Sequence, residues 1–141
     1  GIDITGKEAE AEEAAEEKKA EAKEAKPLTH KPNVTYDDFA KLEFRVGEVI
    51  ACEAVPKSSK LLKETVKLGS ETRIILSGIK KWYKPEDMVG KKVMVVCNLE
   101  PRKIAGEMSQ GMIIAAEDES GEMISLMTPD NSDMPSGSEI C

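Results

Sequence analysis

The residues best suited to chemistry lie between Asn98 and Met112. The pair Arg102-Lys103 follows Pro101, which cannot take part in a strand ladder, so we expect the two cations to stand clear of any sheet. The pair Ser109-Gln110 follows a few residues later. Cations beside short hydrogen-bonding side chains suit a phosphate, a sugar hydroxyl or a base edge. The stretch therefore predicts a binding loop held on a rigid scaffold.

The residue types needed for catalysis are scarce. The only histidine, His30, lies in a proline-flanked stretch near the start and is interpreted as incidental. Three cysteines, Cys52, Cys97 and Cys141, are far apart and show no C-x-x-C spacing, which argues against a zinc site. The phosphate-binding loop and the dinucleotide fingerprint are both absent from the sequence. We expect a domain with no enzymatic activity, no cofactor and no metal, from a reducing, cytoplasmic setting.

The charge is unevenly distributed along the 141 residues, although the net charge is −7. Residues 57–103 contain twelve Lys or Arg and five Asp or Glu, a local balance of +7, whereas residues 104–141 contain eight acids and no Lys or Arg. A polyanion responds to charges within a Debye length of about 8 Å, so a local basic patch can bind it. Clustering in sequence need not mean clustering in space, and an ordinary scatter of surface bases is the alternative.

The elements that position these residues are predicted to be short strands. Leu42, Phe44 and Val46 alternate with polar residues, and the pattern continues to Val55, which predicts one long strand with a bulge or bend at Gly47. Further strands are predicted at Leu62 to Leu68, Arg73 to Leu76, Lys91 to Cys97, Met112 to Ala116 and Glu122 to Met127. The Met112 to Ala116 run is apolar throughout and is expected to be covered on both faces. Short helical turns are predicted at Thr35 to Lys41 and before Pro85. This order predicts an all-β, five-stranded Greek-key barrel, the OB-fold.

The first 33 residues differ in composition from the rest. Residues 7–26 are almost entirely Ala, Glu and Lys, which favours a helix but offers no apolar stripe for docking. We predict a charged spacer over residues 1–33, helical or disordered, followed by the folded domain over residues 34–141. An RNA-gripping arm would need a positive balance, which residues 7–26 lack. Because the chain starts with Gly rather than Met, we expect it to be part of a longer protein.

Five short motifs occur in one order over about a hundred residues. They are Asp38-Phe-Ala-Lys-Leu42, Arg45-Val-Gly47, Lys60-Leu-Leu62, Ser77-Gly-Ile79 and the Asn98-Leu-Glu-Pro-Arg-Lys103 segment followed by Ser109-Gln-Gly-Met112. Together they resemble the tRNA-binding domain family, and most of all the C-terminal domain of bacterial methionyl-tRNA synthetases. The resemblance implies an OB-fold that binds tRNA and is covalently linked to an N-terminal synthetase catalytic region. The adenylation motifs of class I synthetases are absent, so aminoacylation would belong to that other region.

The motif positions and the basic stretch together nominate the tRNA-binding residues. They are Lys57, Ser59, Lys60, Lys63, Arg73, Ser77, Lys80, Asn98, Arg102, Lys103, Ser109, Gln110 and Met112. Lys63, Lys67 and Arg73 are expected to share the face of the second and third strands, the ligand face of OB-folds. Family members often carry a base near Ala105 and a basic or neutral residue at Glu107, and this departure weakens the local field. Trp82 is either a base-stacking platform or a plug closing one barrel end, and the plug is favoured.

Assembly is predicted from apolar residues that one small barrel cannot bury. Phe39, Leu42, Met123 and Met127 are expected to lie between the subunits of a homodimer, a form that the resemblance also implies. The alternative is a monomer whose polar tail, residues 129–141, folds back over this face. For function, the alternative is a free-standing tRNA-binding or chaperone-like homodimer. No apolar run is long enough to span a membrane.

Overall fold

The computed structural model describes residues 27–141 of the chain. Within the described residues, Val34–Cys141 form one compact unit. The helical or disordered spacer was predicted over residues 1–33; its first 26 residues lie outside the described part of the chain, and the spacer stays a prediction.

The described residues form two short helices and ten strands, most of them short. In chain order they are α1 (Tyr36–Ala40), β1 (Phe44–Ala54), β2 (Leu62–Leu68), β3 (Glu71–Ser77), α2 (Pro85–Met88), β4 (Lys92–Val96), β5 (Arg102–Ile104), β6 (Glu107–Ser109), β7 (Met112–Ile113), β8 (Ala115–Glu117), β9 (Ile124–Leu126) and β10 (Glu139–Ile140). Thr35 caps the N-terminus of α1, because its hydroxyl accepts a hydrogen bond from the Asp38 amide at 3.2 Å.

The strands form one curled antiparallel sheet and two ribbons. The sheet order is β3-β2-β1-β4-β7, with β10 also paired to β1, while β5-β6 and β8-β9 form separate two-stranded ribbons. The start of β1 lies between β4 and β10, since Phe44 is paired with Val96 on one side and Ile140 on the other. This strand order and curled sheet are those of an OB-like barrel, so the predicted fold class is confirmed.

Strand β1 is long and irregular, as predicted, but the irregularity lies elsewhere. The register against β2 shifts between Val49 and Ala51, whereas Gly47 keeps its place opposite Val93 in the ladder with β4. Glycine is needed at position 47 for space. A Cβ atom there would lie 2.5 Å from Val66 Cγ1 and 2.9 Å from Val95 Cγ2. Of the predicted bulge or bend at Gly47, the bulge was wrong, because the ladder is regular there. Close packing of side chains explains this glycine.

The predicted strand from Met112 to Ala116 is divided at Ile114. Its residues before that point pair with β4, and those after it pair with β9. Of the five residues only Ile113 is buried, whereas Met112, Ala115 and Ala116 are exposed. The expectation that both faces of this run are covered was wrong, because the run changes its strand partner at Ile114 and most of its side chains are exposed.

The core is aliphatic, as the low aromatic content indicated. Fully buried side chains include Val49, Leu62, Val66, Ile75, Met88, Val93 and Val95. Tyr83, not Trp82, packs against this cluster, and its hydroxyl accepts a hydrogen bond from the Leu126 amide at 3.0 Å. Trp82 is half-buried and donates its indole N–H to the Glu122 carbonyl at 2.8 Å, which joins it to the turn between β8 and β9. The plug role therefore suits Tyr83 better than Trp82.

Candidate nucleic-acid interface

The stretch from Pro101 to Ser109 folds as a hairpin of β5 and β6. The turn residues Ala105 and Gly106 both have positive φ, 51° and 84°, as in the two-residue turns that match strand twist. Arg102 and Lys103 belong to β5 and therefore do pair with a strand, but only within this small ribbon. Both are exposed, and within the described part of the chain neither has an ion-pair partner. They are available to an anionic ligand.

Ser109 and Gln110 seal the hairpin to the edge of β3. The Ser109 hydroxyl accepts a hydrogen bond from the Leu76 amide at 3.1 Å and donates to the Gly111 carbonyl at 3.2 Å. Gln110 makes two hydrogen bonds to the backbone of Ile74. Its side-chain oxygen accepts from the Ile74 amide at 3.0 Å, and its backbone N–H donates to the Ile74 carbonyl at 2.8 Å. These atoms close the barrel along an edge that would otherwise have unpaired backbone groups. Only the Gln110 side-chain nitrogen remains for a ligand.

Asn98 is also engaged within the fold. Its side-chain oxygen accepts a hydrogen bond from the Glu43 amide at 2.9 Å, and its side-chain nitrogen donates to the Lys41 carbonyl. Both functional atoms thus hold the link between α1 and β1 against the end of β4. The presence of asparagine at this motif position is therefore explained by its structural role as well as by a role in binding.

Arg73 does not share a face with Lys63 and Lys67. It is paired with Val66, whose side chain points into the barrel, whereas the two lysines occupy alternate, outward positions of β2. The Arg73 guanidinium donates to the Cys97 carbonyl and lies 3.4 Å from a Glu71 carboxylate oxygen. The expectation of a common basic face was wrong, because the register of β3 places Arg73 on the opposite face from the two lysines. There its guanidinium is held at the end of the barrel by a backbone carbonyl.

Lys63 lies on the outer face but is neutralised there. Its ammonium is 2.6 Å from a Glu107 carboxylate oxygen and 3.5 Å from one of Glu53. The hydrogen bond to Glu107 raises the pKa of Lys63, and the charge of Glu53 adds to this. Lys67 lies opposite Glu48 in the ladder with β1, but no ion pair joins the two among the described residues. Lys63, the predicted site residue on this face, is thus not a free cation.

Three free cations of the predicted site lie instead in two neighbouring loops. Lys57, Ser59 and Lys60 are exposed in the β1–β2 loop, and Lys80 lies in the β3–α2 loop. The Lys80 amide donates to the Lys60 carbonyl at 3.1 Å, which fixes the two loops side by side. None of these lysines has an ion-pair partner among the described residues.

A groove adjoins these loops and ends at the hairpin. Its volume is about 310 Å³ and it is lined by Leu76, Ser77, Gly78, Ile79, Leu99, Glu100, Arg102, Ile104, Ser109, Gly111, Met112 and Ile113. We call it the Ser77–Met112 groove. The side chains of Leu99 and Met112 are 41% and 47% exposed. The groove therefore offers apolar contact for a base or a ribose beside the guanidinium of Arg102.

Ser77 connects the groove to a carboxyl inside the barrel. Its hydroxyl lies 3.2 Å from one Glu64 side-chain oxygen, and the other oxygen has no hydrogen-bond partner. Glu64 is completely buried, and burial raises its pKa to about 8. The sequence reasoning missed Glu64, Leu99 and Glu100. The alternation of Leu62, Val66 and Leu68 on the inner face of β2 is the signal that could have placed Glu64 inside the barrel.

The residues predicted at a dimer interface are accessible in the single chain. Phe39, Leu42, Met123 and Met127 are 43%, 45%, 67% and 45% exposed. The Phe39 ring also stacks on that of Phe44, with the ring centroids 6.1 Å apart. Exposed apolar side chains of this kind can serve an interface.

Among the described residues, no three His, Cys, Asp or Glu side chains form a group that could hold a metal ion. The same residues include no helix that is long and apolar enough to span a membrane. Of the cysteines, Cys97 is buried, Cys52 is half-buried and Cys141 is exposed.

Comparisons with known proteins agree with the sequence motifs. Residues 44–139 match the family model described as "Putative tRNA binding domain". The chain is 53% identical over 114 residues to methionine–tRNA ligase of Deinococcus radiodurans and 46% identical over 140 residues to that of Clostridium acetobutylicum. These matches cover 81% and 99% of this chain but only 16% and 21% of the relatives. The chain thus spans about a fifth or less of their length.

Solved structures show the same likeness. A methionyl-tRNA synthetase related protein from Pyrococcus horikoshii superposes with a TM-score of 0.74 at 36% identity, covering 79% of this chain and all of that one. The chaperone CsaA of Bacillus anthracis superposes with a TM-score of 0.70 at 27% identity, covering 78% of this chain and all of that one. The resemblance inferred from the motifs is confirmed, and the chain belongs to the tRNA-binding domain family.

Proposed function

We propose that this domain binds tRNA as a non-catalytic appendage of a methionyl-tRNA synthetase and increases that enzyme's hold on tRNA with little sequence specificity. The observation that carries the proposal is a groove that is lined by the free cation Arg102 and adjoins two loops with free lysines. Lys60 and Lys80 lie on joined loops, Ser77 to Ile79 form the nearer wall, and Arg102 lines the groove. The family, and the synthetases among the relatives, support tRNA as the polyanion.

Affinity in this proposal comes from phosphate contacts. Lys57, Lys60, Lys80, Arg102 and Lys103 are the free cations among the predicted site residues, and contacts of this kind carry no direct sequence information. Ser59, Ser77, Met112 and the Gln110 nitrogen are left to meet ribose or base. Asn98, Ser109 and Arg73 act mainly by shaping the site, since their polar atoms already have partners in the fold.

The setting of the domain is part of the proposal. The N-terminal synthetase region would be joined through residues 1–33, the protein would act in the cytoplasm, and the domain would need no cofactor of its own. A second copy would cover Phe39, Leu42, Met123 and Met127, which gives the assembly two tRNA sites. The exposure of these four side chains supports the dimer.

A free-standing tRNA-binding or chaperone-like homodimer is the second candidate. The structural likeness to two chaperone CsaA proteins favours it. The two candidates differ in the polypeptide of the native protein. Its mass, determined by mass spectrometry of the protein from its source cells, separates a synthetase-sized chain from a domain-sized one.

Binding is tested by titrating the domain with tRNA at several salt concentrations. Each neutralised phosphate should contribute about −0.7 to −0.9 to the slope of log affinity against log salt. Lys60→Ala, Lys80→Ala and Arg102→Ala should each weaken binding and make the slope shallower. Lys67→Ala, on the outer face of β2, removes the same charge away from the groove and should have little effect. A salt-independent affinity, or equal losses in all four variants, would contradict the proposal.

A further inference from the structure

Lys63 lies on the outer face of β2, but its ammonium group is already paired with two carboxylates. Glu107, which follows the tip of the β5–β6 hairpin, holds it at 2.6 Å, and Glu53 approaches from β1 at 3.5 Å. Lys63 is paired in register with Leu76 of β3, the strand whose last residue, Ser77, lines the groove. A phosphate of a ligand that lies along the hairpin would therefore pass close to Lys63.

The carboxylates that pair with Lys63 are exposed to solvent. The Glu107 and Glu53 side chains are 39% and 69% exposed, and that of Lys63 is 26% exposed. Ion pairs of this kind add little to stability and are screened by salt, so an incoming anion can replace one partner. The hairpin does not depend on this pair, because the bonds from Ser109 and Gln110 to β3 hold it independently.

The space needed for such an exchange is present. A cleft of about 390 Å³ lies beside the pair and is lined by Glu53, Ala54, Val55, Pro56, Lys57, Lys63, Ala105, Gly106 and Glu107. Lys57 on the same cleft has no ion-pair partner among the described residues. Two ammonium groups thus border one cleft, and two carboxylates balance their charge.

We propose that Glu107 is an internal competitor for phosphate, which occupies Lys63 and sets the strength of RNA binding at this surface. A backbone phosphate of the bound RNA displaces the Glu107 carboxylate and takes its place on Lys63, beside Lys57. The ion pair breaks and a new one forms, with no covalent change. This inference rests on the proposed tRNA binding and deepens it, because it names the residue that limits affinity.

The experiment compares tRNA affinity in wild type and Glu107→Gln over a salt series. Gln keeps the shape of the side chain but leaves Lys63 without its closest anion. The variant should bind several-fold more tightly, with a slope steeper by about 0.7 to 0.9, so that its advantage shrinks about threefold between 50 and 200 mM salt. Asp133→Asn removes the same charge from the exposed tail and should leave both slope and affinity nearly unchanged.

The double variant Glu107→Gln with Lys63→Met decides whether Lys63 is responsible. The gain should vanish in the double variant if the new phosphate contact is made by Lys63. A gain that persists without Lys63, or a Glu107→Gln variant that binds like wild type with an unchanged melting temperature, would overturn the inference. Failure of wild type itself to bind tRNA would instead overturn the proposed function, so the two failures are distinguishable.

Discussion

Glu64 should make the domain less stable as pH rises from 5 to 8. The side chain is completely buried; among the described residues one of its oxygens has no hydrogen-bond partner, and the other accepts from the Ser77 hydroxyl at 3.2 Å. Burial raises its pKa from 4.5 to about 8, so the folded state keeps a proton that the unfolded chain has already released. The stabilising effect of this proton is complete below the unfolded pKa and is lost as pH rises to the folded pKa.

The magnitude follows from the two pKa values. Each pH unit between 4.5 and about 8 costs about 1.4 kcal/mol of folding free energy. By pH 7 the loss is on the order of 3 kcal/mol, and above pH 8 it levels off at about 5 kcal/mol. Such a loss is a large share of the 5–15 kcal/mol that is typical of a domain.

Urea unfolding of wild type and Glu64→Gln at pH 5, 6, 7 and 8 measures the effect. Glutamine has nearly the shape of the protonated carboxyl and does not titrate, so the variant should be relatively more stable at each step toward pH 8. The exposed Glu86→Gln variant serves as the control and should follow wild type throughout. Parallel curves for wild type and Glu64→Gln would refute the buried neutral carboxyl.

Three further changes test other parts of the structure. Gly47→Ala should lower the free energy of unfolding by about 1–3 kcal/mol, because its Cβ would meet Val66 and Val95; an unchanged melting temperature would contradict the close approach. Ser109→Ala should cost about 1–3 kcal/mol in urea unfolding by depriving the Leu76 amide of its acceptor, and a loss no larger than that of exposed Ser59→Ala would show the seal to be dispensable. Met123→Glu should halve the mass found by light scattering at micromolar concentration, whereas Met108→Glu on the hairpin should not; a monomeric wild type would end the dimer proposal.

Much of the sheet could be predicted because its signals are local. Alternation along β1 and β2, and the apolar run of β4, are present in consecutive residues and need no knowledge of partners. The β5–β6 hairpin was harder, because its turn is Ala105-Gly106 and not one of the Asn-Gly or Asp-Gly pairs typical of such turns. Strand β10 has only two residues and depends on β1 for its existence.

The site was predicted less well because its polar atoms have distant partners. Asn98, Ser109 and Gln110 occupy motif positions, yet their side chains bond to Glu43, Leu76 and Ile74, which no sequence spacing reveals. The neutralisation of Lys63 likewise depends on a residue 44 positions away. A count of charges along the chain located the basic region but could not tell free cations from paired ones.

The pairing of β10 with the first residues of β1 also constrains how the chain folds during synthesis. Phe44 and Arg45 leave the ribosome well before their partners Ile140 and Glu139, which lie at the other end of the domain. The edge of β1 that pairs with β10 therefore remains open until the whole domain has been translated, and contacts between positions so far apart in sequence form slowly even then. The nascent barrel thus exposes a strand edge at its oldest element until its newest residues arrive.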